Sequence, residues 1–84
     1  MRITINGKGI DVSDYMRDVV AKRVFKLEKL LREDTEAQVM LSMFMGRPVC
    51  EITIPFHGIE MRAADASANM YASIDTAYTK IHRQ

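Results

Sequence analysis

The sequence has little of what catalytic and metal sites need. Its 84 residues include one cysteine, two histidines and no tryptophan. Cys50 cannot form an internal disulfide, and one cysteine with two distant histidines lacks the spacing of a metal site. His57 and His82 have no sequence signal that pairs either of them with a nucleophile. We therefore expect no catalytic residue, no metal and no cofactor.

Long apolar runs are also missing. No window approaches the ~20 apolar residues of a membrane span, and no apolar run of signal-peptide length opens the chain. Phosphate-binding glycine motifs are absent, and Gly7, Lys8 and Gly9 predict only a turn. With the lone cysteine, these features predict a cytoplasmic protein without a membrane partner.

An excess of charge of one sign is lacking too. The chain has 12 Lys and Arg against 11 Asp and Glu, a formal net charge of +1. The total therefore neither favours nor excludes a polyanionic partner, and the distribution of charge must decide. At 84 residues and 48% apolar content, we expect one compact domain over residues 1–84.

Alternating apolar and polar residues predict four strands. Their expected ranges are 2–6, 36–45, 49–56 and 59–65. Gly46, Arg47 and Pro48 predict one turn, and His57 with Gly58 predicts the next. The side chains expected to face inward are Ile3, Ile5, Ala37, Val39, Leu41, Met43, Met45, Cys50, Ile52, Ile54, Phe56, Ile59, Met61 and Ala63.

Two segments have helical periodicity. The first runs from about 14 to 32, with Ser13 as N-cap and Asp14 in the first turn. The second begins at 67–69, with Ser67 or Asn69 as its cap. The apolar positions expected to face the core are Met16, Val20, Val24, Leu27 and Leu31, then Met70, Ile74, Ala77 and Ile81.

The element order is βαβββα. The long helical connection predicts parallel pairing of the first two strands, and the short connections predict antiparallel hairpins. We expect an α+β fold, a two-layer sandwich in which two helices cover one face of a mixed four-stranded sheet. The other face would be exposed to solvent and mostly polar, with Met40 and Phe44 as apolar residues on it.

The first helix carries a cluster of positive side chains. On a helical wheel Lys22, Lys26 and Lys29 fall within about 60° of one another. One interpretation is a solvated face with ordinary pairs such as Asp18 with Lys22. The other is a cationic groove, completed by Lys80 and Arg83 from the second helix, that attracts a polyanion.

Two stretches then carry a resemblance to a known family. ITINGKGIDVSDYMRDVVAKRVFKLEKLL and NMYASIDTAYTKIHRQ resemble the ribosome hibernation promoting factors, also called sigma-54 modulation proteins. The resemblance runs in register over the whole chain. It implies a stress factor, not an enzyme, that binds the small ribosomal subunit and its rRNA in the mRNA and tRNA channel and inhibits translation.

The resemblance also implies an RNA-binding set. We add Lys22 and Lys29, which are basic here where relatives vary, to the positions that match. The expected RNA-binding residues are Arg17, Lys22, Arg23, Lys26, Lys29, Arg62, Lys80 and Arg83. Ser42 and Met45 stand where relatives often carry lysines. Tyr71 and Asp75, in the MYxxID run, have a structural interpretation as residues that cap and pack the helix against the sheet.

The resemblance further implies a longer natural protein. We expect residues 1–84 to be its N-terminal domain, with any homodimer formed through a C-terminal domain outside this chain. Two alternatives stay open. One is a protein-interaction or self-association module that uses Met40 and Phe44. The other is a double-stranded-RNA reader, although residues 69–75 lack the positive charge that such a domain carries there.

Overall fold

The computed structural model describes all 84 residues. Strand β1 is followed by helix α1 and a short 3₁₀ segment, then by three strands and helix α2. The bounds are β1 Arg2–Lys8, α1 Asp14–Val24, the 3₁₀ segment Phe25–Leu30, β2 Glu36–Phe44, β3 Arg47–Phe56, β4 Ile59–Ala66 and α2 Met70–His82. The predicted βαβββα order is confirmed.

The four strands form one mixed sheet in the order β1-β2-β3-β4. β1 pairs in parallel with β2, with Ile3 opposite Ala37. The other two pairs are antiparallel, with Val39 opposite Ile52 and Ile52 opposite Ala63. Because these residues lie on one side of the pleat, the register places a single apolar face toward the helices.

Both hairpins close through two-residue turns. Met45 and Gly46 have φ of 51° and 78°, and His57 and Gly58 have φ of 51° and 80°. Positive φ at both central positions is the type I′ geometry, whose twist matches that of the flanking strands. The first turn is therefore one residue earlier than predicted, and β3 begins at Arg47 instead of residue 49.

The helices and the sheet enclose one core of 14 buried apolar residues. The sheet contributes alternate residues, and the helices contribute residues three or four positions apart. The core comprises Val20, Val24, Leu27, Ala37, Val39, Leu41, Cys50, Ile52, Ile54, Ala63, Met70, Ile74, Ala77 and Ile81. The predicted two-layer arrangement follows from this burial, since both helices pack on the same face.

The first helix is shorter than predicted. α-helical geometry ends at Val24, and Phe25–Leu30 continues as 3₁₀ helix. With three residues per turn, the 3₁₀ geometry keeps Leu27 on the same buried side as Val24. Leu30, one further 3₁₀ turn along this side, is 63% exposed, so the burial ends after Leu27. The prediction of one α-helix over 14–32 is therefore wrong. No glycine or proline in the sequence marks this change in winding.

Three residues predicted to face inward are exposed. Met43, Met45 and Ile59 are 49%, 87% and 66% exposed. A strand of nine residues such as β2 is ~30 Å long, whereas the 13 residues of α2 extend only ~20 Å. The hairpin ends therefore project beyond the helices that would cover them.

The helix starts are fixed by side-chain caps. Ser13 Oγ accepts a hydrogen bond from the Met16 amide at 3.1 Å, as predicted. At α2 the cap is Asn69, whose Oδ1 accepts from the Ala72 amide at 2.9 Å. Ser67, the other predicted cap, donates its hydroxyl to Asp65 and its amide to Ser73 Oγ. Ser67 therefore joins β4 to α2 without capping the helix.

Cys50 lies in the centre of the sheet and provides a pH test of the core. Burial raises the pKa of its thiol to about 12, with the Asp65 and Glu51 carboxylates acting in the same direction. In the unfolded chain the thiol ionises at pH ~8.5. Above that pH the unfolded state therefore holds fewer protons than the folded state, and the thiol's contribution to stability falls until the pH passes the folded pKa.

We predict that the free energy of unfolding of the native protein, relative to Cys50→Ala, falls between pH 9 and 11 by at most about 1.4 kcal/mol per pH unit. Urea unfolding at several pH values under reducing conditions measures this difference. Parallel pH profiles for the two proteins would contradict the buried, neutral thiol.

Candidate nucleic-acid interface

One side of α1, continued by the start of the 3₁₀ segment, carries three of the predicted cations. Lys22, Arg23 and Lys26 line a shallow surface depression of about 580 Å³. Its other lining residues, Tyr15, Asp18 and Val19, recur at helical spacing and so share this side of α1. The depression thus combines three cations, one carboxylate and an aromatic ring.

This side of α1 meets α2. The rings of Tyr15 and Tyr71 pack edge to face with their centroids 5.5 Å apart. Further along, Arg23 Nε lies 3.1 Å from Asp75 Oδ1. Residues early in α1 contact residues early in α2, so the two helices run in the same direction. Tyr71 and Asp75 therefore join the helices to each other, which corrects the interpretation that they pack α2 on the sheet.

Two further predicted cations, Arg17 of α1 and Lys29 of the 3₁₀ segment, lie apart from the depression. Arg17 Nη1 donates to the carbonyl oxygen of Ile5 at 3.3 Å, which places this side chain over β1. Lys29, in the 3₁₀ segment, lines a separate depression of about 200 Å³ beside Pro55, Phe56 and His57. The wheel that grouped Lys29 with Lys22 and Lys26 assumed α-helical winding, which ends at Val24.

Lys80 faces away from α1. Its Nζ donates to the carbonyl oxygen of Ala64 at 3.0 Å and lies 3.4 Å from Asp65 Oδ1. Asp65 is only 16% exposed, so this ion pair joins α2 to β4. The prediction that Lys80 completes a groove between the helices is wrong, since Lys80 and Asp75 occupy opposite sides of α2. Arg83, the C-cap of α2, forms no ion pair.

Arg62 lies on the other face of the sheet. Its Nη2 is 3.6 Å from Glu51 Oε2. Both residues line a depression of about 290 Å³ with Gln38, Thr53 and Glu60. The sheet therefore separates Arg62 from the cations of α1, and the eight predicted residues do not form one continuous surface.

Carboxylates neutralise only part of the predicted set. Ion pairs within 4 Å involve Arg23, Arg62 and Lys80. The expected pair of Asp18 with Lys22 does not form at that distance. The cations that remain without a carboxylate partner are Arg17, Lys22, Lys26, Lys29 and Arg83. Four of these five belong to α1 or its 3₁₀ extension, so most unpaired cations of the predicted set lie there.

Tyr15 lines the depression, and the sequence interpretation missed it. It stands four and eight positions before Val19 and Arg23, and this spacing was available as a signal. Its contact with Tyr71 spans 56 residues and was not readable from either helix alone. No cluster of three or more His, Cys, Asp or Glu side chains is placed to hold a metal ion. Neither helix combines the length and apolar character of a membrane span.

Comparison with known proteins identifies the family. The model of the family described as Sigma 54 modulation protein / S30EA ribosomal protein matches residues 3–84. The chain belongs to this family. The assignment confirms the resemblance to ribosome hibernation promoting factors. Because the sigma 54 modulation proteins are ribosome hibernation factors without enzymatic activity, it also confirms that the chain is not an enzyme.

Two relatives in this family share about a third of their aligned residues with the chain. A ribosome hibernation promotion factor from Lactococcus lactis subsp. cremoris is 33% identical over 87 residues, which cover 100% of this chain and 47% of that protein. A ribosome hibernation promoting factor from Azotobacter vinelandii is 32% identical over 84 residues, with coverage of 100% and 78%. The chain therefore spans about half of the first relative and over three quarters of the second.

Solved structures confirm the fold. The N-terminal domain of Thermus thermophilus Protein Y has a TM-score of 0.82 at 30% identity, with 99% of this chain and 98% of that chain covered. A ribosomal subunit interface protein from Coxiella burnetii has a TM-score of 0.84 at 20% identity, with coverage of 100% and 92%. The sandwich of two helices on a mixed sheet is thus the fold that the chain shares with both solved structures.

The structural role of Lys80 can be tested against Arg83, a cation of the same helix without a partner. Lys80→Ala removes two contacts to β4 and leaves Asp65 without its cation. We expect it to lower the free energy of unfolding by about 1 kcal/mol, since Lys80 is half exposed, whereas Arg83→Ala should change it by less than about 0.5 kcal/mol. Urea unfolding measures both. Equal effects would show that the contact with β4 is energetically unimportant.

Proposed function

We propose that this chain binds the small ribosomal subunit in the mRNA and tRNA channel and inhibits translation as a hibernation factor. The contact surface is the basic side of α1, which docks on ribosomal RNA. The action is binding without a chemical step, and its place is the cytoplasm, where ribosomes translate. Family membership supports the ribosome as partner, and the names of the relatives from Lactococcus and Azotobacter support hibernation as the outcome.

The observation that carries the RNA surface is the charge on α1. Lys22 and Lys26 are exposed, lie one helical turn apart and have no carboxylate within 4 Å. Such lysines contact phosphates and release counterions, so they provide affinity without reading sequence. Structured RNA is recognised mainly by shape and backbone, which suits a rigid helix with projecting cations.

The predicted residues have unequal parts in this proposal. Lys22, Arg23 and Lys26 form the centre, although Arg23 shares its charge with Asp75. Arg17, Lys29 and Arg83 lie around this centre and extend the positive surface. Lys80 and Arg62 have a lesser part, because each contacts RNA only by giving up its ion pair with Asp65 or Glu51.

A charge-reversal experiment tests the proposal. Lys22→Glu with Lys26→Glu should weaken binding to isolated small subunits at least about tenfold and lower the slope of log affinity against log salt by about 1.5, since each lost phosphate contact removes roughly 0.7 to 0.9. Arg2→Glu with Lys8→Glu is the matched control, because it makes the same change in net charge on β1. Equal losses in both double variants would contradict a specific surface on α1.

The exposed tip of the β2–β3 hairpin favours a second candidate function. Met43, Phe44 and Met45 are 49%, 68% and 87% exposed, and they form a continuous apolar segment. Such a patch is typical of protein contacts. In this alternative the chain is a protein-interaction or self-association module, with Phe44 and the half-buried Met40 at the contact.

Sedimentation of the free protein distinguishes the two candidates. If the alternative holds, the protein self-associates in a salt-insensitive manner and Phe44→Glu returns it to a monomer. If the ribosome proposal holds, Phe44→Glu leaves both the monomer mass and the affinity for small subunits unchanged. A loss of subunit binding in Phe44→Glu, with lysine reversal having no effect, would place the contact on the sheet side.

A further inference from the structure

We infer that Tyr15 and Tyr71 form a stacking platform for an unpaired RNA base, beside the lysines that hold its phosphates. The inference rests on the proposed function and specifies the kind of RNA that the α1 surface takes. It assigns a ligand to an aromatic pair that lies outside the core.

The exposure of this pair is the first observation. Tyr15 is 66% and Tyr71 40% exposed. The third tyrosine, Tyr78, is half-buried, packs against the core and stacks on His82. Removing an aromatic ring from water is favourable, so an exposed ring contributes little to the fold while it remains uncovered. The platform therefore retains apolar area that a stacked base would cover.

The edge-to-face contact prepares the rings for a ligand. A tyrosine side chain has two rotatable torsions, and contact at 5.5 Å between centroids restricts both rings before any ligand arrives. Rings that are already ordered lose less conformational entropy on binding. The pair sits between two helices that also meet through Arg23 and Asp75, so the helix framework holds the spacing of the rings.

The neighbouring charges favour a nucleotide over an apolar ligand. Tyr15 lines the same depression as Lys22, Arg23 and Lys26, in which Asp18 is the only acidic lining residue. Asp75 pairs with Arg23 at its edge, so the two lysines keep their charge. Tyr15 and Lys22 are seven residues apart, or about 10 Å along the helix axis. Single-stranded nucleic acid is held by this combination, a basic surface that follows the backbone and aromatic rings on which bases stack. Base faces inside a duplex are already stacked, so the platform selects an unpaired base.

The experiment compares two hairpin RNAs that differ by one residue. One carries a single bulged 2-aminopurine, and the other is fully paired. We expect the native protein to prefer the bulged RNA by about 5- to 150-fold in Kd, the range that stacking on one aromatic ring provides, and to quench the 2-aminopurine fluorescence. Tyr15→Ser should abolish the preference and the quenching, whereas Tyr15→Phe should retain both.

Phe44→Ser is the matched control, because Phe44 is 68% exposed but lies on the hairpin tip. It should leave the preference intact. Thermal unfolding of Tyr15→Ser and Tyr15→Phe verifies that both variants fold. Equal affinity of the native protein for the two RNAs, binding to neither, or a preference that survives Tyr15→Ser would overturn the platform.

The outcomes separate the platform from the proposed function. If lysine reversal still weakens binding to small subunits while Tyr15→Ser has no effect on either RNA, the platform is wrong and ribosome docking stands. If the native protein does not bind small subunits, the proposed function fails, whatever the hairpin RNAs show.

Discussion

The fold depends on the burial of one face of the sheet beneath two helices. Val39, Leu41 and Ile52 on the sheet are fully or almost fully buried. They share one core with Val20 and Ile74 on the helices. A chain of this length has one core, and each of its four strands and two α-helices must contribute to that core or flank it. Once the apolar stripe of α1 faces this layer, the opposite side of the helix must face water. The cations of α1 are exposed for that reason.

The contact between the helices then shapes the exposed surface. Two contacts outside the core hold α1 and α2 side by side, namely Tyr15 with Tyr71 and Arg23 with Asp75. Asp75 neutralises the cation nearest to α2, and Lys80 is directed toward Asp65 on β4. The net charge near zero therefore does not mean an even distribution. Three of the four ion pairs involve α2 or the outer sheet face, whereas Lys22, Lys26 and Lys29 remain unpaired on α1 and its 3₁₀ extension.

The elements could be predicted from the sequence because their signals are local. Alternation in β2 and β3 follows from burial of one face, and the caps Ser13 and Asn69 are short-range signals. The change to 3₁₀ winding after Val24 had no marker, since nothing in Phe25–Leu30 disfavours an α-helix. The length of β2 and β3 beyond the helices was also unreadable, because it depends on how far the covering helices extend.

The site was harder to predict than the fold. A helical wheel groups Lys22 and Lys26 correctly because they are only four residues apart, although Lys26 lies in the 3₁₀ segment. The partners of Arg23, Lys80 and Arg62 lie 52, 15 and 11 residues away, so their pairing depends on tertiary structure. The prediction of a single groove failed at this step, since it treated every cation of the helical layer as free. The family resemblance provided an expected partner and a set of expected residues, but not the ion pairs that Arg23, Lys80 and Arg62 form.

A cryo-EM map of this chain bound to isolated small ribosomal subunits tests the account most directly. The account predicts that Lys22 and Lys26 lie within contact distance of ribosomal RNA phosphates, while the outer face of the sheet, with Arg62 and Glu51, remains in solvent. A map in which the outer sheet face or the Met43–Met45 hairpin tip contacts the subunit and α1 faces solvent would contradict it.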